Sequence, residues 1–154
     1  MLLTYLILLV LVFLGLFLGL LIGYATKEEL KPGKRYFDIL KHGLFIAILI
    51  VFFVKNWSVL FVVVIAALII IFSFSRYRET LYYYALAVVF FISWRFNGFA
   101  LLAPLIFLYG FPVGSIYLHN HLKQKKKKII LGMLEQYVGF LITGVLLGLL
   151  GLVI

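Results

Sequence analysis

Cysteine is absent from the 154-residue chain, which excludes disulfides, thiolate metal centres and cysteine nucleophiles together. Acidic side chains are nearly absent as well: Glu28, Glu29, Asp38, Glu79 and Glu135 are all five of them. Charged residues make up only 12% of the chain, against roughly a quarter in ordinary soluble domains. So few charges cannot coat a soluble core, and a soluble globular domain is excluded. Asp38 is the single aspartate and no serine stands in a nucleophile-elbow pattern, so a serine triad finds no support. The His-Glu-x-x-His spacing of zinc hydrolases is missing too. No cofactor is predicted.

What is present is apolar. Hydrophobic residues are 66% of the chain, aromatic residues 18%, and the mean hydropathy is +1.24. Crossing the hydrocarbon takes about 20 apolar residues as a helix, and six stretches approach or reach that: 1–24, 39–54, 57–74, 80–96, 98–118 and 129–154. The sequence therefore predicts an all-α integral membrane protein, one transmembrane domain over 1–154 built as a bundle of about six helices. The first stretch has no positive start and ends in Gly23-Tyr24-Ala25-Thr26 without a cleavage pattern, so it is read as a span and not as a signal peptide.

Charge orients the bundle. Lys27, Lys31, Lys34, Arg35 and Lys41 follow span one, Arg76 and Arg78 follow span three, and Lys123 with Lys125 to Lys128 follow span five. These alternate links hold twelve of the fourteen basic side chains; only Lys55 and Arg95 lie on the other side. Lysine and arginine favour the cytoplasmic side, which predicts cytoplasmic basic links and both termini outside, in the cell membrane. Trp57 and Trp94 then fall at the outer boundary, and Tyr24, Tyr36, Tyr77, Tyr82, Tyr83 and Tyr117 near the inner one, as interfacial aromatics should. The net charge of +9 is divided among short links with no folded domain to present it, so nucleic acid is not a predicted partner.

Small residues mark two helix faces. Gly15, Gly19 and Gly23 recur every four residues in span one, and Gly144, Gly148 and Gly151 nearly do in span six. Such faces let helix backbones approach closely in lipid, either inside the bundle or between copies of the chain. Span five carries Tyr109-Gly110-Phe111-Pro112-Val113-Gly114, with Pro104 two turns earlier. That run predicts a kink or break, where freed carbonyls could meet a solute beside Tyr109, Pro112 and Ser115. Glu135, about 9 Å into span six, is the acidic group of such a path.

Asp38 and His42 share a helix face, His119 and His121 close span five, and with Glu135 they gather near the inner boundary. Three or four of them together would be metal ligands or an acid–base pair. The mixed segment 27–37 is predicted to lie along the membrane surface and to break at Pro32-Gly33. Lys34, Arg35, Lys41 and Lys125 are the candidates for contact with anionic lipid headgroups on the cytoplasmic side. Three function classes follow in order: solute or ion translocation, a non-catalytic membrane scaffold or complex subunit, and an intramembrane enzyme acting on lipid or peptide. Membrane lipids, a second copy or another membrane protein are the partners expected.

Overall fold

A computed structural model describes residues 2–26, 28, 30–55, 78–95 and 98–153, and every described element is a helix. These are α1 (Leu2–Ala25), α2 (Leu30–Lys55), α3 (Arg78–Arg95), α4 (Phe99–Asn120) and α5 (Lys126–Val153). Four of them, α1, α2, α4 and α5, are long and apolar enough to cross a membrane. α3 has 18 residues, roughly 27 Å at about 1.5 Å per residue, and charged residues cap both its ends. The predicted span 57–74, with Trp57, Arg76 and Tyr77, lies outside the described residues.

Two sequence expectations are corrected. α2 begins at Leu30 and runs through Pro32 and Gly33, so residues 30–38 are helix without the expected break. Pro32 sits in the first turn, where a backbone N–H has no intrahelical acceptor and its loss costs nothing. α4 is likewise one uninterrupted helix with Pro104 and Pro112 inside it. Each proline removes a single backbone bond, and tight packing on neighbouring helices keeps the chain on its helical path.

Short turns join neighbours: the Leu30 N–H donates to the Thr26 carbonyl at 3.1 Å between α1 and α2, and the His121 and Gln124 N–H groups close the turn from α4 to α5. α4 is the centre of the bundle, packed chiefly on α1 and α2 and also on α3. In its membrane-crossing window 56% of residues are buried, against 17% for peripheral α2. The contacts give the helix directions: α1 and α4 run parallel, with Gly15 level with Phe107 and Gly19 with Phe111, whereas α1 and α5 run antiparallel, with Phe13 stacked on Phe140.

An aromatic cluster fills the space among α3, α4 and α5. Tyr83 lies 6.0 Å from Tyr109, 5.3 Å from Tyr137 and 5.0 Å from Phe140, ring centre to ring centre. All four are buried, so the Tyr83 ring belongs to the core. Leu3, Ile7 and Leu21 of α1, Ile46 and Ile50 of α2 and Ile142 of α5 point outward. A helix bundle that buries rings inside and exposes isoleucine and leucine outside is arranged for lipid.

Candidate functional site

Parallel packing of α1 on α4 is a backbone-to-backbone seam. A Cβ built on Gly15 would meet the Phe107 carbonyl oxygen, and one on Gly19 the Phe111 carbonyl oxygen. From the other side, a Cβ on Gly110 would come within 2.6 Å of the Gly15 carbonyl carbon and the Leu16 nitrogen, and one on Gly114 would meet the Leu16 carbonyl oxygen. Gly110 and Gly114 are thus a small-xxx-small pair that answers Gly15 and Gly19. Their spacing of four was legible in the sequence, but Pro112 between them drew the reading toward a break.

Of the residues proposed for a solute path, Ser115 falls into this seam. Ser115 is buried and its Oγ donates to the Gly19 carbonyl at 2.8 Å. Pro112 and Tyr109 are buried as well, the Tyr109 ring lying 6.0 Å from Phe45 of α2 and 6.0 Å from Tyr83 of α3. Glu135 is exposed on the outer side of α5 and lines a groove that includes none of the other three. The structure does not bring the four together.

The glycines of α5 receive side chains instead of backbone. A Cβ on Gly144 would lie 2.6 Å from Leu9 Cδ1, and one on Gly148 2.6 Å from Tyr5 Cε1. The Tyr5 hydroxyl donates to the Gly144 carbonyl at 2.8 Å. Gly151 faces Phe91, and Arg95 Nη1 donates to its carbonyl at 2.9 Å. Gly23 packs near Ser115 and Leu118. The same logic acts at two positions absent from the sequence reading. Tyr84 lies over Gly139 and donates to the Gln136 carbonyl at 2.7 Å, while Gln136 Nε2 donates to Thr80 Oγ1 at 3.0 Å.

Two basic grooves open at the end of the bundle where α2 and α5 begin. The first, about 590 Å³, is lined by Pro32, Lys34, Arg35, Asp38, Ile39 and His42. Lys41 is not part of it: this lysine is only 7% exposed and pairs with Asp38 at 3.5 Å. His42 is held by a 2.6 Å hydrogen bond between Nδ1 and the Asp38 carbonyl. The second groove, about 480 Å³, lies over the α4–α5 turn and includes Lys125, Lys127, Lys128, His121, Tyr117 and Glu135. Here His121 Nδ1 bonds the Tyr117 carbonyl at 2.9 Å and its ring stacks on Tyr117 at 4.2 Å.

The five metal candidates are therefore split. Asp38 and His42 line one groove, His121 and Glu135 the other, and His119 lines neither, its Nδ1 lying 3.4 Å from Asn120 Oδ1. Among the described residues no three His, Asp or Glu side chains are close enough to hold a metal ion. Comparison with protein-family models, curated proteins and solved structures finds no match to this chain.

Proposed function

We propose that the chain is a non-catalytic membrane scaffold or complex subunit, with six spans, both termini outside and its basic links on the cytoplasmic side of the cell membrane. One observation carries the preference over translocation: Ser115, a buried polar group of α4, donates its hydroxyl to the Gly19 backbone across the α1–α4 seam. The Tyr5 and Tyr84 hydroxyls likewise donate to the backbone of a neighbouring helix. A solute path needs polar groups facing a cavity instead. The orientation rests on the distribution of lysine and arginine.

The test is native mass spectrometry of the protein extracted gently from its own membranes. A stable mass with another protein is the expected result; a monomer or homo-oligomer free of partners under every mild condition would overturn the scaffold. Translocation remains as the second reading on one specific ground. The Tyr83 hydroxyl is fully buried with no hydrogen-bond partner among the described residues, a polar point that water or a small solute would satisfy. Ion or solute flux in proteoliposomes, lost in Tyr83→Phe, would promote that reading.

A further inference from the structure

α5 is longer than a membrane core requires. Its 28 residues extend about 42 Å at 1.5 Å per residue, against a hydrocarbon thickness of about 30 Å. The far end offers only glycine and aliphatic residues from Val145 to Val153, so the surplus of roughly two turns belongs to the lysine end. With that surplus at headgroup depth, the stretch from Lys126 to about Met133 stands outside the hydrocarbon, and with it Lys127, Lys128, Leu131 and Gly132 of the second groove. Glu135 sits at the edge of the hydrocarbon and not within it.

The four consecutive lysines are divided by their surroundings. Lys126 places Nζ 5.7 Å from the Tyr24 ring centre, a cation–π contact that ties the start of α5 to the end of α1. Lys125, Lys127 and Lys128 line the groove. Three ammonium groups against the Glu135 carboxylate leave a net charge of two at neutral pH. No acidic residue stands in the first turn of α5 to compensate it. His121 is fixed by its Nδ1 bond and by stacking, leaving Nε2 to meet a ligand. The Tyr117 hydroxyl rests over Gly132, where a Cβ would come within 2.7 Å of it. Below the lysines, exposed Val138 and Ile142 continue down the same side of α5, a surface for acyl chains.

We propose that this groove binds the phosphate headgroup of an anionic membrane lipid, with Lys125, Lys127 and Lys128 around the phosphate and the acyl chains along α5. A phosphomonoester, carrying about −1.5 to −2 charge at pH 7, matches the net charge better than a phosphodiester does. This site is independent of the scaffold reading: lipid affinity tests one, and retention of a protein partner the other.

The experiment titrates the full-length protein in detergent with phosphatidate, phosphatidylglycerol and phosphatidylcholine and counts bound lipid by native mass spectrometry. Expected is one tightly held phosphatidate, weaker phosphatidylglycerol and weakest phosphatidylcholine. The triple variant Lys125→Gln, Lys127→Gln, Lys128→Gln loses phosphatidate affinity on the order of a hundredfold, given the usual contribution of each surface lysine. The triple Lys→Arg variant keeps it, and Glu135→Gln binds at least as well as the wild type. Lys34→Gln with Arg35→Gln, in the other groove, leaves the site intact. Equal binding of all three lipids, an equal loss in the Lys34/Arg35 variant, or weaker binding by Glu135→Gln would overturn the assignment. Displacement of the lipid by millimolar inorganic phosphate would overturn it in favour of a free-anion site.

Discussion

The α1–α4 seam and the surface where α5 meets α1 and α3 are both built on glycine, yet the glycines face different things. In the seam, the atoms opposite Gly15, Gly19, Gly110 and Gly114 are main-chain carbonyls and nitrogens. Opposite Gly144, Gly148 and Gly139 are the ends of Leu9, Tyr5 and Tyr84. Backbone cannot rotate away from an added methyl, whereas a side chain can change rotamer. The first contact fixes how closely two helices lie; the second is a set of sockets that hold particular side chains. In lipid, where burying apolar surface gives helices little drive to associate, such close fits and a few interhelical hydrogen bonds hold the bundle together.

The comparison breaks most visibly at Gly19. Gly19→Ala puts a methyl against the Phe111 backbone, and the helices must separate. A loss at or beyond the roughly 3 kcal/mol upper end of overpacking costs is expected, read as a collapse of the thermal transition in detergent. An unchanged transition would mean the seam is not close-packed.

Gly144→Ala tests the sockets. Alone it costs about 1–2 kcal/mol, within the range of overpacking penalties, because Leu9 stands 2.6 Å from the new Cβ. In a Leu9→Ala background the clash disappears, so a double-mutant cycle shows favourable coupling of about 1 kcal/mol. Gly19 has no facing side chain to trim, and additive behaviour at Gly144 would erase the distinction drawn above.

Hydrogen bonds are the next smaller effect. Ser115→Ala removes the bond to the Gly19 carbonyl and Tyr5→Phe the bond to the Gly144 carbonyl. Each is expected to cost about 0.6 kcal/mol, the average for interhelical bonds in membrane bundles, measured from unfolding midpoints. A cost several times larger for Ser115→Ala would point to a role beyond packing.

Gly43 supplies the control of opposite sign. Among the described residues nothing lies within 4 Å of a Cβ built there, so Gly43→Ala gains helix propensity without a clash against them, up to about 1 kcal/mol. A destabilised Gly43→Ala would reveal a contact on α2 that the other helices do not make.

The glycine periodicity of spans one and six was legible because a period near four has one physical use in an apolar helix, close approach to a neighbour. Its partners were not. Gly110 and Gly114 sit in a run that predicts a kink or a break, because Pro112 is a local signal and the matching glycines are nearly a hundred residues away in the chain. Ser115 and Tyr109 drew attention as polar groups at mid-depth, a sound inference from cost that cannot tell a cavity from a helix contact. The metal candidates shared a boundary in the sequence, but a boundary is a plane, and two grooves divide them on it.

Composition alone determined that this chain lives in lipid: a chain with so few charges has no other way to keep its apolar surface from water. Apolar runs of helical length determined the four helices long and apolar enough to cross a membrane to within a few residues at most ends, α2 excepted. Tertiary structure decided which helix is central, that α4 passes unbroken through two prolines, and whether each glycine faces backbone or side chain. Those outcomes depend on contacts between residues far apart in the chain. Local propensity and periodicity describe one helix at a time, and the atoms that fill the space beside a glycine belong to another.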